Sequence, residues 1–392
     1  MVGKKLLQNR LKKKLFTKSF LNQMNESLTG YIFILPAVAI IALFGLFPIG
    51  YSIYMSLFQW RVRKGDFIGL ENYAKLIGDF QGLLLFLLGI GLLVAAYWVW
   101  KNAFRTIEKG EIIAKIIAVL LLLGVGISLS TGWEKMLAAG NEGFLNSLIV
   151  TVFFAVGSVP LQLFLALLLA YVLFQSIRGK EIFRMVYFLP YVTPVVSTAV
   201  VFKIIFNPRE TSLANIFLSL VGIEPLRWLF EPKPVSELVF GLKDLPGIWA
   251  GPSLALVTII LYGVWTFVGY NTVIFLAGLG GISKEIYEAA EMDGANPWKL
   301  FRYITVPLLS PITFYLFLIS FIGTFKAFNH IFVMKEPNAQ KTVITTSVQI
   351  FQTFYTENNF SVAAAEAIIL FLIILGLTFA QNKLLGDRVF YG

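Results

Sequence analysis

Eight apolar stretches, each about as long as or longer than the roughly 20 residues a helix needs to cross a bilayer, limit what this chain can fold into. They lie at about 32–56, 82–100, 112–131, 147–173, 185–206, 253–277, 308–333 and 361–381. Hydrocarbon offers peptide N–H and C=O groups no partners, so spans must be helices or a closed barrel. None of the eight alternates apolar and polar residues as a barrel strand does. The expected fold is therefore an all-α polytopic membrane protein with eight transmembrane helices. Charged residues make up 14 % of the chain, against about 25 % in a water-soluble domain, which agrees.

Two residue counts exclude whole classes of chemistry. The chain has no cysteine, so disulfides and thiolate metal sites are ruled out. Its single histidine, His330, argues against a histidine-rich metal centre or a Ser-His-Asp site. The net charge of +10 is read as loop lysine and arginine that fixes helix orientation, and nucleic acid is not an expected partner.

An even number of spans places both ends on one side. Residues 1–29 carry Lys4, Lys5, Arg10, Lys12, Lys13, Lys14 and Lys18 against Glu26 alone, which assigns that side to the cytoplasm, an N-in/C-in topology. The other putative inside segments, added to this tail, hold more lysine and arginine than the outside ones, which are somewhat longer in total. The expected layout is a basic cytoplasmic tail at 1–29, which could lie on the inner leaflet as an amphipathic helix or serve only as a charge anchor. A first span and outside loop follow at 30–80, then a two-helix hairpin at 81–140, a core at 141–381 and a cytoplasmic C-terminus at 382–392. The outside segment 207–252, rich in Pro, Trp and Leu, reads as ordered.

The loop 278–306 stands out among short inside loops. Its sequence "YEAAEMDGANPWKLFRYITVP" begins at Tyr287. Ser283 can cap a helix whose first turns carry Glu285 and Glu288, favourable at the positive end of its dipole. Ala289 and Ala290 leave a bare patch, and Gly294 suits a left-handed helix end. Asn296-Pro297 reads as the cap and first-turn proline of a second short helix with Trp298, Phe301 and Tyr303 on its apolar face. Two short helices on the inner membrane face are expected.

This stretch resembles the cytoplasmic signature of type I ABC importer permeases, EAA-x3-G-x9-I-x-L-P. Glu288, Ala289, Ala290, Gly294, Ile304 and Pro307 match, and Val306 replaces the leucine. "FIGLENYAKLI", "FLPYVTPVVSTAVVFKIIFNP" and "FSVAAAEAIILFLIILGLT" are similar to the sugar-importing branch, in particular the larger maltose-type permease subunit. Two outside segments depart from that pattern: "FNPRETSLANIF" lacks a glycine and "VMKEPNAQKTV" lacks Gly-Gly-Pro. The resemblance implies the type I importer transmembrane fold in a bacterial or archaeal cytoplasmic membrane, with a sugar or oligosaccharide as cargo. It implies that the 285–307 loop docks into an ABC ATPase dimer. It also implies a second homologous permease subunit and an extracytoplasmic solute-binding protein. The hairpin 81–140 is an insertion into that pattern, assigned here to lateral packing of the complex rather than to regulation. No cofactor is expected in this chain. No G-x4-G-K-[ST] loop is present, so ATP and magnesium belong to the partner.

A sugar path needs aromatic faces and a few amides or hydroxyls. The sixth span offers Tyr262, Trp265, Thr266, Gly269, Tyr270 and Asn271, and the seventh offers Lys326, Phe328, Asn329 and His330. The substrate-path candidates are Tyr270, Asn271, Trp265, Asn329, His330 and Phe328. The resemblance aligns Tyr270 with a sugar-contacting tyrosine and His330 with a sugar-contacting asparagine. Packing is the competing reading for each, and Lys326 has Glu366 of the last span as a candidate ion-pair partner. Two alternatives stand beside the sugar importer. One is the same architecture carrying another solute. The other is an ion-coupled secondary transporter, which calls for paired ionisable residues and inverted repeats.

Overall fold

The computed structural model describes residues 29–103, 108–175, 179–243, 245 and 247–386. The basic tail and the extreme C-terminus lie outside these residues. The described chain is almost wholly helical, apart from one small antiparallel hairpin, β1 (Phe58–Trp60) and β2 (Lys64–Phe67), paired Phe58 to Phe67 and Trp60 to Lys64. The composition gave no signal for this hairpin, which is short and lies in a connection.

Among the described residues, six helices are long and apolar enough to span by themselves: α1 (Thr29–Ser56), α2 (Phe80–Ala103), α3 (Glu108–Ala139), α4 (Glu142–Phe174), α7 (Leu254–Gly280) and, last of them, α12 (Phe360–Leu385). The described residues 29–55 form a unit of their own; there α1 carries a π-helical turn at Ala42–Leu46 and exposes its apolar side chains along its length. The remaining two expected spans are bent pairs. α5 (Lys180–Val192) and α6 (Val195–Ile205) meet at 98°. Thr193 at the joint is extended, as a residue before proline prefers, and Pro194 has no N–H to continue the ladder. The expected span 185–206 is therefore two helices across a corner. The other pair, α9 (Pro297–Leu308) and α10 (Ser310–Phe325), meets at 62°. With each pair counted once, the candidate spans among the described residues number eight.

The expected span 308–333 needs a second correction. Its helix stops at Phe325 and restarts as α11 (Asn329–Met334), leaving Lys326–Phe328 out of the α-helical ladder. Free carbonyls at a helix end inside a membrane require other donors. Here Ser347 Oγ donates to Phe325 O at 3.0 Å and Thr345 Oγ1 to Ala327 O at 3.3 Å.

α7 is the central helix: 61 % of its apolar window is buried, against 39 % or less in the other five long helices. Ser253 Oγ caps it by accepting from Leu256 N at 3.1 Å. It packs on α4, which Asn141 caps in the same way through Phe144 N at 2.9 Å. A cluster around Phe154, Ile259, Tyr262 and Ile331 joins α4, α6, α7 and α11, and a second around Ala166, Phe275 and Leu316 joins α4, α7 and α10. α2 and α3 pair with each other, and Trp133 and Met136 at the far end of α3 pack with Leu76, Phe144 and Ala365.

The described residues of the segment 207–252 form short helices and connecting turns. Asn215 is 1 % exposed and ties it together. Its Nδ2 donates to Arg209 O and Leu226 O at 3.0 and 3.1 Å, and its Oδ1 accepts from Leu226 N and from Trp228 Nε1 at 3.0 and 2.7 Å.

Candidate functional site

A cavity of about 290 Å³ opens between α4, α7, α10 and α11. Ser158 and Phe267, at the midpoints of α4 and α7, both line it, so it lies at half the depth of these spans. Its wall includes Tyr270, Asn271, Phe328, Asn329 and His330, five of the six substrate-path candidates.

Each of these is positioned by a distinct local device. Tyr270 is half-buried and stacks on Tyr191 of α5, with ring centres 4.7 Å apart and planes 25° apart. That stacking is possible because Gly269 lets α7 approach α5 closely. A β-carbon there would lie against the Tyr187 carbonyl and 3.1 Å from Phe188 Cα. Phe328 stacks on Phe332 at 5.2 Å, and Asn329 starts α11 with its side chain exposed. His330 is held face-on by Tyr262 at 5.1 Å and beside Phe154 at 5.7 Å. The buried atoms His330 Nε2 and Asn271 Nδ2 have no hydrogen-bond partner among the described residues. A buried polar atom without a partner costs about 1–3 kcal/mol; seven such atoms occur among the described residues, and these two belong to residues of the cavity wall, where water or a polar solute would be the partner.

Two sequence expectations fail. Trp265 does not line the cavity; it is half-exposed and packs on Phe202 at 5.1 Å. Five residues separate it from Tyr270, about 140° around a helix. Lys326 does not pair with Glu366: that carboxylate accepts from Thr353 Oγ1 at 3.2 Å, while Lys326 lines the cavity. Tyr262 proves to be packing, 1 % exposed, its hydroxyl 2.7 Å from Thr198 Oγ1. Sequence reading missed Phe154, Ser158 and Gln162 of α4. The signal for the latter two was a pair of polar residues four apart in a largely apolar span, a spacing shared by Ser147 and Thr151, which bond Thr346 instead.

The second site is the 278–306 loop. α8 (Lys284–Met292) is followed by Gly294 at φ +79°. Ala295 N reaches back to Ala290 O and Gly294 N to Glu291 O, both at 3.0 Å, which closes the helix end in a left-handed turn. Asn296 Oδ1 accepts from Lys299 N at 2.8 Å with Pro297 in the first turn of α9. Ser283 occupies the cap position of α8, but its hydroxyl donates to Glu285 rather than accepting from the backbone, and this holds the Glu285 carboxyl below its ordinary range. A bond from Tyr287 to Thr305, 3.0 Å between oxygens, ties α8 to α9. The expected apolar face of α9 divides: Leu300 and Thr305 are buried, Phe301 packs on Tyr171 at 4.7 Å, and Trp298 and Tyr303 remain exposed. With Met292 also exposed, the loop presents an uncovered apolar surface beside Glu288 and Ala289.

Residues 124–390, which contain the cavity and this loop, match the family described as binding-protein-dependent transport system inner membrane component. The chain belongs to that family. It is a membrane-spanning permease component of an importer, not a catalyst; hydrolysis of ATP resides in a separate subunit. The match begins inside α3, upstream of the expected core boundary at 141. The arabinooligosaccharides transport system permease protein AraP of Bacillus subtilis is 31 % identical over 65 % of this chain and 76 % of its own length. The lactose transport system permease protein LacF of Rhizobium radiobacter is 28 % identical over 92 % and 94 %. A solved bacterial alginate ABC transporter, in complex with an alginate pentasaccharide-bound periplasmic protein, shares the fold. Its TM-score is 0.51 at 20 % identity, covering 72 % of this chain and 96 % of that one.

Proposed function

We propose that this chain lines the membrane path of a carbohydrate, in an N-in/C-in topology, and is driven by an ABC ATPase dimer that docks on α8. One observation carries the reading. Tyr270, Asn271, Asn329 and His330, drawn from two separate elements, converge on one cavity at mid-span. That wall joins aromatic faces, suited to the apolar side of a sugar ring, to amide and imidazole groups suited to its hydroxyls. The cargo for which the relatives are named, arabinooligosaccharides and lactose, supports a carbohydrate. The further partners of this reading are a second homologous permease and an extracytoplasmic solute-binding protein, with ATP and magnesium held by the ATPase.

Tyr270→Ala and Asn329→Ala test the path. Each removes a wall contact without touching the loop, and loss of a polar contact that becomes buried when cargo fills the cavity costs about 1–3 kcal/mol, roughly five- to 150-fold. Uptake by the assembled complex should fall by that order while co-purification of the ATPase is unchanged. Wild-type uptake in the double variant would return both residues to packing.

The absence of cysteine makes the topology directly testable. Single cysteines at Lys64 and Lys233 should react with a membrane-impermeant maleimide added outside, and one at Trp298 only after permeabilisation. External labelling at Trp298 would place α8 away from any cytoplasmic ATPase.

A further inference from the structure

Apart from Lys115 near one end of its span, two lysines lie within the expected spans, and the structure treats them differently. Lys203 on α6 has a counter-charge: Glu336 lies 2.8 Å from its ammonium. Lys326, at the break between α10 and α11, lines the cavity, and no described residue forms an ion pair with it. The described cavity wall contains no aspartate or glutamate at all. Glu366 of α12 is fully buried and bonded to Thr353. A cation at this depth faces water or a binding partner, because hydrocarbon does not solvate it. The wall therefore offers one uncompensated positive charge, flanked by the unpartnered buried polar atoms of Asn271 and His330. It offers nothing that would attract a cation.

We propose that the cargo of this cavity is an anionic carbohydrate, one bearing a carboxylate or a phosphate ester, with Lys326 as its charge-recognising residue. The inference rests on the carbohydrate-path reading and adds a charge to it. Aromatic and amide groups hold the ring and its hydroxyls, and the ammonium selects for the acid. A neutral sugar could accept a hydrogen bond from the ammonium but would leave its charge uncompensated. A basic solute would be repelled.

The cysteine-free background allows a test that does not depend on which binding protein delivers the cargo. In the purified complex, Asn329→Cys, with Ser320→Cys as a second reporter, is labelled with anionic sulfonatoethyl and cationic trimethylammonioethyl methanethiosulfonate. Each rate is normalised to a free thiol. A unit charge a few ångströms from the thiol should favour the anionic reagent at least about threefold, and added Lys326→Gln should abolish the preference while Lys326→Arg keeps it. Oligogalacturonate, glucose 6-phosphate and maltotriose are then compared as protectants. Slower labelling with the uronate assigns a carboxylate and with the phosphate ester a phosphate, in either case only when the charge at 326 is present. Equal rates for the two reagents, as a carboxylate supplied by a partner subunit would give, overturn the proposal but leave the sugar path standing. So does protection by maltotriose that Lys326→Gln leaves unchanged. No labelling by either reagent at either reporter would show a cavity closed to water and overturn both readings.

Discussion

Gly294→Val and Ala290→Trp should each reduce ATP-driven uptake to near background, with normal membrane insertion. At Gly294 the cause is conformational. Its φ of +79° lies in the left-handed region, and a β-carbon there would meet nothing within 4 Å. A β-branched residue is strongly disfavoured at such an angle, so the turn opens and α8 swings away from the line set by the bonds to Glu291 O and Ala290 O. At Ala290 the cause is bulk, because an indole on the small-residue face prevents close seating in an ATPase groove. Neither position lies in a span. The expected signature is therefore a complex that inserts but either loses its ATPase on purification or hydrolyses ATP without response to cargo. Lys284→Ala, outside the matched positions, serves as the control and should transport nearly normally. Wild-type transport in both Gly294→Val and Ala290→Trp would make the loop a solvated connector.

Gly269→Leu should be the most damaging single change in the spans, and the damage should be structural. The first side-chain atom would collide with the Tyr187 carbonyl, and it would lie 2.8 Å from Tyr187 C and 3.1 Å from Phe188 Cα. Those are backbone atoms of α5, which cannot rotate away as a side chain can. α5 and α7 would have to separate, which would break the Tyr191–Tyr270 stack that sets the cavity wall. Overpacking of a tight core typically costs about 1–3 kcal/mol, and here the obstacle is main chain, so the upper end or beyond is expected. The measurement is the yield of monodisperse complex and its thermal midpoint in detergent. A yield and midpoint equal to wild type would show that the α5–α7 contact is not a fixed part of the fold.

The physical range over which each feature is determined explains what could be read in advance. The spans were legible because hydropathy is a local sum. So were the turn at Gly294 and the start of α9 at Asn296-Pro297, each set by one or two residues. The corner at Thr193-Pro194 carries its own proline, so the sequence marked it even though the expected span ran through it. The break at Lys326–Phe328 carries neither proline nor glycine. It is held by hydroxyls of Ser347 and Thr345, some 20 residues downstream, and no local pattern could announce it. The same distinction divides the cavity. Tyr270, Asn271, Asn329 and His330 declared themselves as polar or amphipathic residues in apolar runs. Trp265 looked equivalent but points to another side of the helix. Ser158 and Gln162 belong to the wall only because α4 packs on α7, a long-range fact.

The central claim is that this chain carries solute through the membrane at the expense of ATP hydrolysed elsewhere. The direct measurement is uptake of radiolabelled oligosaccharide into proteoliposomes that contain the assembled complex, with ATP supplied to the side that bears α8 and the binding protein on the other. Accumulation should require both ATP and the binding protein, and should persist when proton and sodium gradients are collapsed. Accumulation driven by an ion gradient without ATP would contradict the account.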